Sequence, residues 1–120
     1  MKIYEFRKYG NNYQMSLSIG CYQFYDNLAI EMNVLTSDGW EPWNTLTVNL
    51  GDIADKHCAY IDTNNNGQEI LTWIEKNNLA VPTGQIASSG YCRYPEYRFH
   101  SEALREMDPD GYAQYLETIN

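Results

Sequence analysis

Two short stretches of the chain contain residue types that can do chemistry, and the first is His57-Cys58. A histidine beside a cysteine can generate a thiolate nucleophile. Neighbouring residues on a strand point to opposite faces, however, so the imidazole would not reach the adjacent sulfur. A buried structural cysteine is the favoured interpretation of Cys58, and the sequence does not predict an enzyme.

The second stretch, residues 62–67 (DTNNNG), matches the start of a calcium-binding loop, D-x-N-x-N-G. The twelfth position of such a loop needs a bidentate glutamate and is Trp73 here, while Glu69 stands where an apolar residue is expected. A weak calcium site and an Asn-rich turn that caps a helix are the alternatives, and the turn is favoured. With two histidines and no CxxC pair, we expect no metal and no cofactor.

The central element is a helix predicted at residues 67–77. Its apolar residues recur at the i, i+3, i+4 spacing that places them on one side of a helix. These residues are Ile70, Leu71, Trp73 and Ile74. The preceding asparagines are favoured N-caps, so we expect the run to cap this helix.

The rest of the chain alternates between apolar and polar residues, as half-buried strands do. We predict strands at 2–7, 13–22, 28–35, 45–50, 58–61 and 91–99, with a further segment at 85–88. At the C-terminus, Ser101 and then Asp108-Pro109 mark the starts of helical segments. The predicted fold class is α+β: one domain, residues 1–120, in which an antiparallel meander of about five or six strands has a central helix and a short C-terminal helix packed on one face.

The charge is acidic and unevenly distributed. The net charge is −8, and residues 26–75 contain nine acidic residues and only one lysine. Such a surface disfavours direct nucleic-acid binding, because phosphates require a basic face. Two interpretations remain open: a partner protein with a basic surface, or an acidic surface that keeps the protein soluble.

The cysteines and the apolar runs of the sequence bear on the cellular compartment of the protein. The three cysteines suggest a reducing compartment, since they form neither a disulfide framework nor a zinc set. No apolar run is long enough to span a membrane, and no secretory signal is visible at the N-terminus. We therefore expect a cytoplasmic protein without a membrane partner. Its oligomeric state is left open.

Trp40 and Trp43 flank Glu41-Pro42 in a predicted connection between strands. Tryptophans in such a position either cover the core or anchor a partner, and tryptophan is enriched at binding hot spots. Together with the neighbouring acids they form the predicted contact set for a basic partner. This set comprises Glu31, Asp38, Trp40, Glu41, Trp43, Asp52 and Asp55.

Several segments together resemble a family of small acidic proteins of unassigned function from bacteria, phages and other mobile elements. The segments are residues 27–30 (NLAI), 46–50 (LTVNL), 62–65 (DTNN), 79–84 (LAVPTG), 89–91 (SGY) and 94–99 (YPEYRF). Some proteins similar to this family act as anti-CRISPR inhibitors of the type II effector nuclease. The resemblance covers nearly the whole chain and contains no catalytic signature.

The resemblance and the charge together predict a non-catalytic protein that binds a basic protein surface, as an anti-CRISPR inhibitor of a type II effector would. Such an effector holds its nucleic acids in a positively charged channel. The alternative is a protein that binds or sequesters a small, nucleotide-like molecule in a tyrosine-lined pocket between sheet and helix.

Overall fold

The computed structural model describes all 120 residues and contains eight strands and four helices. The first four strands are β1 Tyr4–Lys8, β2 Asn11–Cys21, β3 Leu28–Thr36 and β4 Gly39–Thr45. Two short strands, β5 Thr47–Val48 and β6 Cys58–Ile61, lead to the helices α1 Thr63–Asn66 and α2 Glu69–Lys76. The chain ends with β7 Ala80–Ser89, β8 Cys92–Phe99, α3 Ser101–Met107 and α4 Pro109–Ile119. The predicted α+β class is confirmed.

The strands form two antiparallel sheets, so the prediction of one sheet with five or six strands is wrong. The first sheet has the order β1-β2-β3-β4 and the second has the order β5-β6-β8-β7. The chain passes from one to the other at Leu46, which is fully buried. The Leu46 amide donates to the carbonyl of Ile30 in the first sheet, and its carbonyl accepts from the amide of Asp62, just after β6 in the second. Alternation continues across this crossing, which explains why the sequence shows one strand at 45–50.

β4 replaces the predicted connection around the two tryptophans. Pro42 lacks an N–H and cannot donate a hydrogen bond to a neighbouring strand. β4 is an edge strand, however, and a proline is tolerated there because one side of the strand needs no hydrogen bond. The pairing with β3 shifts between Glu31 and Asn33, so β4 also carries an irregularity near Pro42.

The predicted helix at 67–77 is α2, but its predicted asparagine cap is wrong. The asparagines form their own short helix, α1, whose N-cap is Asp62. One carboxylate oxygen of Asp62 accepts from the amide of Asn65 at 3.0 Å. Gly67 ends α1 with a positive φ of 80°, and α2 then starts without a side-chain cap. An aspartate cap at the start of the run thus takes the place of the expected asparagine cap.

The C-terminal segment forms two helices rather than one short helix. Asp108 caps α4 as predicted, since its carboxylate accepts from the amide of Gly111 at 3.0 Å, and Pro109 occupies the first turn. Ser101 does not cap α3, because the residue at that position is His100 and makes no side-chain cap bond. Both helices pack against β2 in the first sheet.

A single hydrophobic cluster joins the two sheets to the three longer helices. Leu17 and Ile30 come from the first sheet and Phe99 from the second, and all three are essentially inaccessible to solvent. The helices contribute Ile70, Ile74, Leu104, Met107, Tyr112 and Tyr115 to the same cluster. This shared core fixes the ends of the strands relative to one another, and the loops at those ends form the surfaces described next.

Candidate binding loop

The predicted acidic contact residues do not form one continuous face. Asp38 lies in the turn between β3 and β4 and Glu41 lies on β4, near one end of the first sheet. Asp52 and Asp55 lie in the β5–β6 loop, which is hydrogen-bonded to the loop at the opposite end of β3. The length of β3 separates the two ends by roughly 25 Å.

Two of these acids are already paired within the chain. Asp52 lies 3.0 Å from the ammonium of Lys56, and Asp55 lies 3.0 Å from the guanidinium of Arg98. The amide of His57, and then Arg98, hold the pKa of Asp55 below its usual range. Both carboxylates remain exposed, but part of their charge is neutralised before any partner arrives. Glu31, on the solvent side of β3, accepts a hydrogen bond from the Thr45 hydroxyl.

The two tryptophans have different environments. The ring of Trp43 packs against the core, with its centroid 5.9 Å from Phe6 and 5.2 Å from Tyr13. Trp40 pairs with Leu35 across β3 and β4, and directly opposite residues share a face of the sheet. Leu35 is 39 % exposed, so Trp40 lies on the solvent side. Both tryptophans are half-buried; Trp43 packs on the core, as the core interpretation has it, whereas Trp40 lies on the solvent side of the sheet.

The most exposed aromatic pair in the protein lies elsewhere, in the loop of residues 22–27 between β2 and β3. Phe24 is 71 % exposed and Tyr25 is 56 % exposed. Tyr25 and Asp26 both have positive φ, 71° and 53°, which is uncommon for residues other than glycine and costs energy. A strained backbone with two aromatic side chains in solvent persists only where surrounding contacts hold it.

A hydrogen-bond network supplies those contacts to the 22–27 loop. The Lys56 ammonium donates to the Tyr25 carbonyl at 2.7 Å and to the side-chain oxygen of Asn27 at 3.0 Å. Asn27 is only 2 % exposed and donates to the side-chain oxygen of Asn49 at 2.9 Å. Asn49 in turn donates to the Phe24 carbonyl at 3.3 Å. Residues of the β5–β6 segment therefore fix the shape of the aromatic loop.

The sequence interpretation misses this site, because residues 23–27 lie between the predicted strands 13–22 and 28–35 and are not part of the predicted contact set. One signal was present: a phenylalanine and a tyrosine stand together in a loop where no turn type requires them. The supporting residues Asn27, Asn49 and Lys56 are scattered through the sequence. Their convergence depends on the second sheet, which the sequence did not predict.

The residues singled out for chemistry are engaged structurally. Burial, and then the carboxylates of Asp55 and Glu96, raise the pKa of Cys58 to about 11, so the thiol is protonated at neutral pH. The His57 ring shares a hydrogen bond of 2.8 Å with the Tyr112 hydroxyl. Both carboxylate oxygens of Asp62 accept hydrogen bonds from Asn65. The chain contains no cluster of three or more histidine, cysteine or acidic residues with the geometry to hold a metal ion.

One polar cleft of about 500 Å³ lies between β1, the end of α2 and the start of α3. Its lining includes Lys2, Arg98, His100 and Glu106. Tyr4 also lines it, and the buried Tyr4 hydroxyl has no hydrogen-bond partner within the chain. Burial, and then Glu106, raise the pKa of Tyr4 to about 12. Tyr4 is the only tyrosine in this lining, so the cleft differs from the tyrosine-lined pocket expected from the sequence.

Comparison with known families finds one match over most of the chain, to a domain of unknown function (DUF4313) at residues 16–119. The chain belongs to this family. The match covers the aromatic loop and every helix and strand except β1 and the beginning of β2. No curated protein and no solved structure matches the chain. In this DUF4313 protein, no helix combines the length and apolar character needed to cross a membrane.

Proposed function

We propose that this DUF4313 protein is a non-catalytic binding protein that engages a basic protein surface through its 22–27 loop. The observation that carries the proposal is the exposure of Phe24 and Tyr25 on a strained loop held by Lys56 and Asn49. Binding hot spots are enriched in aromatic residues, and they bind best when their loop is already ordered.

The energetics favour these two side chains as anchors. Phe24 and Tyr25 still expose 71 % and 56 % of their surface, and covering this aromatic area is worth a few kcal/mol each at about 25 cal/mol per Å², before the costs of association are subtracted. The backbone of Tyr25 and Asp26 is already in its strained conformation in the folded protein. A partner therefore does not have to supply the free energy of ordering this loop.

The electrostatics favour a basic partner. Asp26 lies in the loop itself, is exposed and forms no ion pair. Asp52 and Asp55 lie in the segment that supports the loop, where the cations of Lys56 and Arg98 screen them. The proposed contact surface is thus Phe24, Tyr25 and Asp26 at the centre with Asp52 and Asp55 at its rim. Glu31, Asp38, Trp40 and Glu41 lie elsewhere on the first sheet and are not part of this surface.

The specific partner proposed is a type II CRISPR effector nuclease, on the basis of the resemblance described above. Its nucleic-acid channel offers a positively charged surface to which carboxylates can bind in place of phosphates. Blocking that channel would inhibit cleavage without any reaction by the inhibitor. This is consistent with a protein that acts by contact alone.

Binding to a purified effector with its guide, measured at low and moderate salt alongside a DNA cleavage assay, tests this proposal. We expect binding that weakens with salt and that blocks cleavage. Phe24→Ala and Tyr25→Ala should each weaken binding about tenfold or more, as hot-spot truncations do. Tyr9→Ala is the matched control, because Tyr9 is 82 % exposed at the opposite end of the first sheet.

The result at low salt decides between two parts of the proposal. Absence of binding there would exclude the effector as the partner. Binding that Phe24→Ala, Tyr25→Ala and Tyr9→Ala all leave unchanged would instead exclude the 22–27 loop as the contact.

A second candidate function, binding of a small polar molecule, is favoured by the cleft beside Tyr4. Its volume lies within the range of small-molecule sites. Its lining combines Lys2, Arg98 and His100 with Glu102 and Glu106, and Lys2 is paired with Glu106, so the cleft suits a polar molecule that carries both donors and acceptors, as a nucleotide does. A thermal-shift screen against nucleotides, repeated with Arg98→Ala, tests this function. A nucleotide that raises the Tm of the wild type but not of the variant would support it, and a screen without any shift would exclude it.

A further inference from the structure

Three of the four sheet edges in this protein are protected against pairing with another strand. Beside β1 lies α2, and the indole N–H of Trp73 donates to the Glu5 carbonyl at 2.8 Å. β4 carries Pro42, the charged Glu41 and an irregular register. β5 is only two residues long. Coverage, proline, charge, bulges and shortness are the devices by which natural proteins prevent edge pairing.

The fourth edge, β7, is protected only in its first half. Pro82 lies there, and the pairing with β8 is interrupted between Pro82 and Ile86. Gly84 has a φ of 91° within this interruption. Beyond it, residues 86–89 pair regularly with β8 and contain no proline, charge or bulge. The outer side of these four residues faces no other strand.

This unprotected segment belongs to a two-stranded ribbon that projects from the second sheet. β6 pairs with β8 only at Cys58, Ala59 and Tyr60, so residues 92–95 of β8 pair with β7 alone. Ile86 is 50 % exposed, and Tyr91 at the tip is fully exposed. A two-stranded ribbon gains stability when further strands extend it.

The ribbon contains no acidic residue, although the chain as a whole is acidic. Residues 76–95 contain no aspartate or glutamate, although the chain as a whole has a net charge of −8. Two copies of such a protein repel each other at most orientations. Approach through the carboxylate-free ribbons keeps the acidic surfaces of the two copies apart, which favours a second copy as the occupant of this edge.

We propose that residues 86–88 of β7 pair antiparallel with the same residues of a second copy, joining the two second sheets into one. A two-fold axis at Ala87 sets Ile86 opposite Ser88 of the partner subunit. Such an interface uses the same patch on both subunits, so each unprotected segment covers the other. The pairing lies on β7 and does not involve the 22–27 loop.

The contact area of this pairing is small, so the dimer should be weak. A standard stable interface buries about 800 Å² on each partner, and a three-residue pairing supplies less. We therefore expect a weak dimer that forms as the concentration rises from the low micromolar to the millimolar range. Added salt should strengthen it by screening the repulsion between two acidic chains, whereas salt weakens binding to a basic partner.

Sedimentation velocity on the full chain over that concentration range tests the proposal. The wild type should shift from monomer to dimer. The double variant Ile86→Glu with Ser88→Glu should stay monomeric, because it places like charges directly opposite each other across the axis. The matched control, Ile86→Thr with Ser88→Thr, keeps an uncharged strand and should still dimerise.

A charge-swap mixture keeps the test independent of any loss of folding. The double variant Ile86→Lys with Ser88→Lys should be monomeric alone and should form heterodimers when mixed with the glutamate variant, whose folding is checked by circular dichroism. A wild type that stays monomeric at millimolar concentration would overturn the proposal. So would a glutamate variant that dimerises as well as the wild type, or a mixture in which no heterodimer forms.

Discussion

Replacing Lys56 by methionine is the sharpest test of how the 22–27 loop is held. The ammonium donates to the Tyr25 carbonyl, to the Asn27 side chain and to Asp52. Methionine retains an unbranched apolar stem of similar length but cannot donate a hydrogen bond. The substitution therefore removes the polar contacts of the lysine and little else.

The three contacts contribute unequally to the expected loss of stability. The Asn27 oxygen is buried, and leaving such an acceptor unpaired costs about 1–3 kcal/mol. The Tyr25 carbonyl lies on an exposed loop where water can replace the lysine, so its loss costs about 0.5–1 kcal/mol. The Asp52 carboxylate is 70 % exposed, and such a surface pair adds about 0–1 kcal/mol. Release of strain at Tyr25 and Asp26 offsets part of this sum.

We expect Lys56→Met to lower the free energy of unfolding by about 2 kcal/mol. Urea unfolding followed by circular dichroism measures this, and an m-value of about 2 kcal/mol per M converts it to a midpoint shift of about 1 M. Lys76→Met is the control, because Lys76 is exposed on α2 and forms no ion pair. If both variants unfold within a few tenths of 1 M of the wild type, Lys56 does not hold the loop and the reasoning is refuted.

Three further outcomes follow from single contacts. Asp108→Ala should lower the free energy of unfolding by about 2 kcal/mol in urea titrations. One carboxylate oxygen of Asp108 accepts from the Gly111 amide and caps α4, and the other accepts from the Ile19 amide in β2, so the side chain connects the helix to the strand. A loss no larger than the roughly 1 kcal/mol of an ordinary cap would contradict this connecting role. Cys58 should resist alkylation at neutral pH in the native protein, because the thiol is buried and its pKa is raised to about 11. Mass spectrometry follows the reaction, and modification as fast as in the unfolded chain would contradict the burial of this thiol. Asp55→Asn should destabilise the protein at neutral pH but not in strong acid. The pKa of Asp55 is lowered in the folded protein, so the ionised carboxylate stabilises the fold at pH values above the unfolded-state pKa of about 4. This stabilisation is lost as the pH falls through the folded-state pKa. Equal destabilisation by Asp55→Asn at neutral pH and in strong acid would contradict this role of the carboxylate.

Much of the fold could be predicted because local patterns determine it. The alternation in residues 13–22 and 28–35 identified β2 and β3, whose Met15, Leu17, Ile30 and Met32 are fully buried. The Asp108-Pro109 pair marked the start of α4 because cap and first-turn proline are local features.

The fold predictions that were wrong concern features that depend on contacts between distant segments. A strand pattern does not tell which sheet a strand joins, so the crossing at Leu46 was invisible. β4 tolerates Pro42 because it is an edge strand, and no local pattern indicates which strand lies at an edge.

The candidate site was harder to predict than the fold, for the same reason. The acids of residues 26–75 are close in sequence, but β3 separates them in space and two are paired with cations. The aromatic loop becomes a site only because Lys56 and Asn49 reach it from the β5–β6 segment. Side-chain networks of this kind leave no local periodicity in a single sequence.

Hydrogen–deuterium exchange of this protein, alone and with a saturating effector–guide complex at low salt, is the most direct test of the proposed contact surface. We expect the complex to slow exchange at the amides of residues 22–27 and of the supporting loop before β6. Exchange of β7 should be unaffected, because the second proposed interface lies away from the partner. Protection at the β3–β4 turn or β7 with none at residues 22–27, or no protection at all, would rule out the 22–27 loop as the contact.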